Sequence, residues 1–491
     1  MGQSIPPNAR RFVTGSTLRH VAVMASTGAI GLVSVFIVDL MNLFYISRLG
    51  DRAVAAAIGF AGVVGFLQTS ITLGLTIGIG AVVSRAIGAG QTNDARRISA
   101  SGLALIAVVT AVIGAATLAI LDTLLDMLGA TGETRYLAAQ FLSITSPSLP
   151  LLGLGMGCSA LLRSVGDARR AMNTTLFAAL TTGVIDPALI FGAHFGLRGA
   201  AIATVLSRAI LAVTGWIGAT RRHSLVGVIR PASLGSDARI ILGVAVPAIL
   251  TNLATPVGAA YVTRSMAQFG SAAVAGQAAI DRITPVAFGL VYALSGAVGP
   301  ILAQNLGAER IDRVRAVLRD SLGLVLVWVS VTWLALEVGQ DVIIQAFSMD
   351  GEAANMMRKF CSLLAGSYIF TGALFVANAG FNNLGYPLLS TLFNWARATL
   401  GTIPFVTLGA QFGPVGVLIG QSTGSIAFGL AAAVVVFRVL PRSVAERPGH
   451  SLSVAPGTGM VALASLAARP LRLWENRERA GLGPYASDRK G

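Results

Sequence analysis

The sequence predicts an all-α integral membrane protein with twelve transmembrane helices in two six-helix lobes. Three observations carry that reading. Of 491 residues, 54% are hydrophobic and only 12% charged, and the mean hydropathy of +0.74 lies far above that of a soluble enzyme. Twelve segments are long enough to cross about 30 Å of hydrocarbon as helices, which satisfy their own backbone hydrogen bonds. The second half of the chain also repeats the first.

In chain order the predicted spans are 21–47, 54–84, 99–121, 137–162, 171–192, 199–219, 240–265, 273–303, 321–346, 360–382, 388–410 and 414–438. The first twenty residues are polar and basic and lack the apolar core and cleavage site of a secretory signal, so span one is expected to be retained. Arginines then set the orientation. Arg10, Arg11 and Arg19 precede span one, Arg96 and Arg97 follow span two, and Arg169 and Arg170 follow span four. Arg221, Arg222, Arg230 and Arg239 follow span six, and Arg310, Arg313 and Arg315 follow span eight. All fall on one side, while the opposite loops hold Asp122, Asp126, Glu133, Asp341, Asp350 and Glu352. The arginine excess predicts a multi-pass protein of the cytoplasmic (inner) membrane with both termini cytoplasmic. The net charge of +15 is thus an orientation signal rather than a sign of nucleic-acid binding. Cys158 and Cys361 lie far apart in apolar segments and read as small buried side chains, not as a disulfide or metal site.

An internal comparison divides the spans into two sets. GAVVSRAIGAGQTNDARR (80–97) matches GPILAQNLGAERIDRVR (299–315), with Gly88 over Gly307, a spacing of 219. At the same spacing LLRSVGDARRA (161–171) lies over GFNNLGYPLLS (380–390), with Gly166 over Gly385. HFGLRGAAIAT (194–204) falls on QFGPVGVLIGQ (411–421), and RLGDRAVAA (48–56) on QFGSAAVAG (268–276). The chain reads as a tandem duplication. Residues 1–19 are a cytoplasmic segment, 20–220 the first lobe, 221–239 a basic cytoplasmic linker, 240–440 the second lobe, and 441–491 a flexible cytoplasmic tail. Within that tail LRLWENRER (471–479) is a candidate for touching the membrane surface. An even number of spans per repeat makes the two copies parallel.

Energy sources follow from what the chain lacks. A P-loop requires Gly-Lys-Ser/Thr, and the lysines, Lys359 and Lys490, both follow arginine. The glycines of GLTIGIGAVV (74–83) read instead as small residues for close helix packing. Uphill transport would therefore draw on an ion gradient. Ionisable residues deep in spans are Asp39, Asp186, Asp281, Arg208, Arg282 and Arg397. Each costs about 2.5–3.5 kcal/mol at the bilayer centre and must face protein or a wet cavity. Asp281 with Arg282 reads as a secondary polar pair, and Arg208 and Arg397 as structural ties. Asp39 and Asp186 read as coupling groups, because an ion carrier needs a carboxylate that changes state between two exposures. In VFIVDLMNLFY (35–45), Asn42 stands three residues after Asp39 on the same helix face and can hydrogen-bond to it. Pro187 has no N–H to donate to the Gly183 carbonyl, which leaves that oxygen free one turn from Asp186, with Thr182 on the same face.

Together VDLMNLFYISRLGDRAVAAAIG, the Gly-Ala-Gly loop followed by arginines, LLRSVGDARRA and VIDPALIFGAHFGLRGAAIAT resemble the multidrug and toxic compound extrusion (MATE) family, nearest its DinF-like branch, over roughly residues 15–440. The resemblance implies a V of two bundles around a central cleft and a cation-coupled antiporter that exports bulky amphipathic, often cationic, drugs or toxic metabolites. By resemblance, Asp186, Thr182 and Thr204 match the family's first-lobe site. Its first-helix aspartate aligns with Asn42 when counted back from Arg48-Leu49-Gly50, with Asp39 one turn earlier. The place of the family's first-helix proline is Thr27-Gly28.

The duplication bears on coupling too. Asp39 falls on Ala259, Asn42 on Val262 and Asp186 on Ile403, so the second lobe has no matching acids. This points to protons, with sodium at Asp186 and Thr204 as the alternative, and to no bound cofactor or resident metal. Expected partners are small amphipathic substrates and the bilayer, with no nucleic acid, and the protein is expected to be a monomer. Gln68, Asn252, Tyr261, Gln277, Tyr292 and Trp395 are the candidate cleft residues. A lipid-linked precursor flippase using Arg282 and Arg397 is the competing transport reading. An enzyme is disfavoured, because His20, His194, His223 and His450 all lie near span ends or in loops.

Overall fold

The computed structural model describes residues 10–47 and 52–440. The predicted 471–479 surface patch, the rest of the tail and the Arg48-Leu49-Gly50 reference point lie outside the described residues. All regular structure among the described residues is helical. The first half comprises α1 (Thr17–Ser47), α2 (Arg52–Gly88), α3 (Thr92–Ala119), the short α4 (Leu121–Met127), α5 (Gly132–Thr145), α6 (Leu149–Ser164), α7 (Ala168–Pro187) and α8 (Gly196–Ile217). The second half comprises α9 (Pro231–Ala267), α10 (Ser271–Ala287), α11 (Gly289–Gly307), α12 (Ile311–Ala346), α13 (Gly351–Ser362), α14 (Tyr368–Leu384), α15 (Pro387–Ala396), α16 (Ile403–Ala410) and α17 (Gly413–Val439).

Eleven of the twelve predicted spans hold helix long and apolar enough to cross a membrane. The exception is 388–410, where α15 and α16 are separated by a π-turn over Arg397–Gly401 and neither piece crosses alone. Three other spans are also built in pieces. Span four breaks at the 3-10 turn Ser146–Ser148, where Pro147 removes a helix donor, and span ten breaks at Leu364–Ser367. Span eight, predicted as one helix over 273–303, changes from α10 to α11 at Phe288, just past Pro285. Its first-half equivalent, α2, runs unbroken for 37 residues. Helix α9 starts at Pro231, inside the stretch read as linker, because proline is pre-set for the first helical turn.

The duplication reappears in the backbone. Left-handed φ values occur at Gly90 and Glu309, Gly129 and Ser348, Gly132 and Gly351, and Gly166 and Gly385, each pair at the spacing found in the sequence. At Gly166 (φ 76°) and Gly385 (φ 95°) glycine meets the turn without strain. At Glu309 (φ 59°) a side chain occupies the conformation that its counterpart Gly90 adopts freely. Glu309→Gly is therefore expected to stabilise the protein by up to about 1 kcal/mol, less the entropy that glycine loses on folding. An unchanged or lowered thermal midpoint would show that no strain is held there.

The two halves meet most closely at the arginine-rich end. Helix α2 packs against α9 and α11, and α1 against α7 and α11. A Cβ on Gly88 would strike the Gln304 backbone, and one on Gly307 would strike the Arg85 backbone, so the repeat-related glycines form one reciprocal crossing. Gly74 and Gly78 bring α2 onto Ile249 and Ala245 of α9, the packing role predicted for this glycine run. Polar ties reinforce the contact. Asp237 of α9 is buried and accepts from Arg97 and from Ser101 Oγ (2.8 Å) on α3, and Arg85 donates to the Asn383 carbonyl. Residues 11–13 form a single turn that seats Phe12, 1% exposed, beside both halves. Its N–H donates to Gln304 Oε1 (3.1 Å), its carbonyl accepts from Asn305 (3.1 Å) and Arg313 (2.9 Å), and Arg11 donates to the Gly166 carbonyl (3.3 Å).

Candidate functional site

The first polar place lies where α7 packs against both α1 and α8. Helix α7 ends at Asp186-Pro187 and gives way to a π-turn, Ala188–Gly192, because Pro187 withholds its donor from the preceding turn. A Cβ on Gly183 would lie 3.5 Å from Val38 Cγ2, so α1 comes close at this level. Asp186 is 0% exposed, and neither carboxylate oxygen has a hydrogen-bond partner among the described residues. Asp39, next to Val38, stands near enough for its charge to act on Asp186, although its own side chain is on the more exposed flank of α1. The buried Oδ1 of Asn42 is also unpartnered.

The hydroxyls complete this seam. Thr182 and Thr204 donate to their own helices, to Ala178 O (3.3 Å) and Ala200 O (2.9 Å), leaving lone pairs free. Ser207 Oγ of α8 donates to Ala178 O of α7 (2.8 Å), and this antiparallel register sets Thr204 at the level of Thr182. Asp39 and Asn42 thus stand on α1 and Thr204 on α8, the two helices that pack against the α7 carrying Thr182 and Asp186. Arg208 is a tie, as its sequence context suggests: it holds the broken span four through Thr145 O (2.6 Å) and Ser148 Oγ (2.9 Å).

The second place is a cleft of about 580 Å³ bounded by both halves, though mostly by the second. Of the candidate cleft residues, Asn252, Gln277 and Tyr292 line it. Gln68, Tyr261 and Trp395 do not. Gln68 is buried inside the first half, donating to Thr117 Oγ1 (3.1 Å) and Ser146 Oγ (3.3 Å). Tyr261 bonds to Thr407 (2.6 Å), and Trp395 ties α15 to Leu250 O of α9 (2.9 Å). Asp281 lines the cleft but forms no ion pair with Arg282. Neighbouring helix positions point about 100° apart, and Asp281 accepts instead from Gln277 Nε2 (2.9 Å). Sequence reasoning missed Asn378, Asn382, Asn383 and Asn394 on the cleft wall, with Asn394 donating to Asn378 (3.0 Å). The run FVANAGFNNLG (375–385), three amides inside an apolar segment, was the available signal.

Comparison with known proteins agrees with this architecture. The MatE family model matches residues 29–187 and 247–408, one match in each half. The FAD transporter of Shewanella oneidensis is 27% identical over 423 residues, 85% of this chain and 93% of that protein. The multidrug export protein MepA of Staphylococcus haemolyticus is 23% identical over 391 residues, 79% and 86% of the respective chains. Among solved structures, the Vibrio cholerae MATE transporter VcmN in its bent form superposes with a TM-score of 0.81 at 23% identity, covering 86% of this chain and 97% of that one. With its six-span repeat, its split cleft and a family match in each half, this chain belongs to the MATE family of multidrug export transporters.

Proposed function

We propose that the protein is a proton-coupled antiporter of the cytoplasmic membrane, its arginine-rich end facing the cytoplasm, that exports small amphipathic molecules. The observation that carries the reading is Asp186: a wholly buried carboxylate with both oxygens unpartnered, beside a second carboxylate, Asp39. Two negative charges in so apolar a seam repel, and a buried charge without a hydrogen bond is costly, so the seam gains stability by taking up a cation. A proton needs one oxygen, whereas sodium needs a cage of several. The hydroxyls of Thr182 and Thr204 donate to their own helices and keep their lone pairs free for either cation, so the proton reading is supported by the two carboxylates, whose repulsion one proton relieves through a single oxygen. Relatives named for multidrug export and for FAD transport support small-molecule traffic through the cleft.

Reconstituted vesicles test the coupling ion. An imposed pH gradient in sodium-free buffer is expected to drive export of an amphipathic fluorescent dye, and collapsing it should stop export. Export under a sodium gradient alone, with none under a pH gradient, would assign the seam to sodium.

A further inference from the structure

The charges lining the cleft do not suit the cationic substrates that the family resemblance implies. Among the described residues the charged groups on its wall are Arg163, Asp281 and Arg397, two guanidinium groups against one carboxylate. Neither guanidinium group has a hydrogen-bond or ion-pair partner among the described residues, and the Nε of Arg397 is buried and unpaired. Asp281, by contrast, already accepts a hydrogen bond from Gln277 (2.9 Å). Asp281 and Arg397 both act electrostatically on Tyr292 and Tyr368, so they flank the same aromatic pair without joining. Around them Tyr368 stacks on Phe288 with centroids 4.3 Å apart and planes 1° from parallel, and Tyr292 packs on Phe375 at 5.5 Å.

An unpaired guanidinium deep in a span is costly and is kept where something partners it. Its planar fork matches the oxygens of a phosphate or carboxylate. We propose that the cleft takes an aromatic molecule bearing an anionic group, its ring among Tyr292, Phe375 and Tyr368 and its phosphate or carboxylate at Arg397, with Arg163 adding positive charge to the wall. This inference rests on the cleft being the transport site. Asp281 then acts as a selectivity brake, repelling anions that do not reach Arg397.

The test is equilibrium binding to the purified full-length protein near neutral pH, which needs no gradient and so is independent of the coupling ion. The probes are naphthyl phosphate, naphthol and naphthylmethylammonium, which share one ring system and differ in charge. The phosphate is expected to bind about tenfold more tightly than the ammonium, the value of one charge-assisted hydrogen bond. Arg397→Gln should remove that advantage and leave naphthol binding intact, while Asp281→Asn should strengthen phosphate binding severalfold. Equal or tighter binding of the ammonium, no binding of any probe, or an Arg397→Gln protein that keeps its phosphate affinity would overturn the proposal. So would loss of naphthol along with the phosphate, which marks Arg397 as a packing residue. Displacement of naphthyl phosphate by short-chain phosphatidylglycerol, but not by aromatic carboxylates, would assign the anion to a lipid headgroup and overturn the aromatic substrate. If binding follows expectation while vesicles export nothing, it is the antiporter reading that fails.

Discussion

Asp186→Asn is expected to lower gradient-driven export by more than about tenfold, to the level of vesicles without protein, while leaving the fold in place. The amide has nearly the same shape as the carboxylate, so the buried volume is kept and an expensive charge is removed. It cannot gain or lose a proton over the working range, so a seam that couples through Asp186 stops cycling. Substrate binding in the cleft should survive, because the cleft lining does not include Asp186. Two measurements on one preparation separate the outcomes: proton release on adding substrate, and the thermal midpoint. Release at the parent level in the variant would remove Asp186 from the coupling role. Asp39→Asn is expected to impair export as well, through loss of the second carboxylate. If it exports like the parent while Asp186→Asn does not, Asp39 is only a polar group on the flank of α1.

Gly88→Leu and Gly307→Leu are expected to stop transport by a different route, each preventing the halves from closing at the arginine-rich end. A Cβ at either position meets backbone of the opposite half, and backbone cannot turn aside as a flexible side chain can. Overpacking costs about 1–3 kcal/mol when neighbours can give. Here relief comes from separating α2 and α11, which also strains the bond from Gln304 to Ser164 O (2.6 Å) and the seat of Phe12. Ser164 is fully buried, so a cysteine placed there reports the gap. Ser164→Cys should be inert to a membrane-impermeant maleimide in the parent and react in either leucine variant. A silent reporter together with parent-level transport would show that the crossing tolerates the extra bulk. Because the glycines are related by the repeat, the two substitutions should behave alike.

How far the sequence reached depended on which physical rule each feature obeys. Span positions follow from burial of apolar area, and the repeat from matched turn glycines, and both were legible. The break at Arg397–Gly401 was not, because an apolar run scores the same whether its hydrogen-bond ladder is continuous or not. In the candidate site, Asp186 and its neighbours were legible because an acid in an apolar span needs a reason and Pro187 marks a loosened turn. The cleft wall was half legible. Hydropathy shows that Gln68, Tyr261 and Trp395 are polar groups in a membrane, but only the packing of α3 and the Ser146–Ser148 turn on Gln68, of α16 on Tyr261 and of α9 on Trp395 shows that each is occupied by a neighbour. Arg397 was read as a tie for the same reason: sequence reveals the charge and hides whether a partner stands opposite.

The broken eleventh span has a consequence for how the protein is made. A segment leaving the insertion machinery is judged on its own helix and its own charges, and α15 to α16 offers a short helix, an arginine and a second short helix. What holds it in place is its successor. Gly409 and Gly416 face each other, Gly424 lies on the Gly401 carbonyl and Gly420 on that of Phe405, so α16 and the preceding turn lie backbone to backbone on α17. The last two spans therefore make sense as a hairpin that enters the bilayer together. In that view biogenesis of the whole transporter waits on its final apolar helix, and a chain truncated before Gly413 would leave an arginine-bearing segment with nothing to carry it into the membrane.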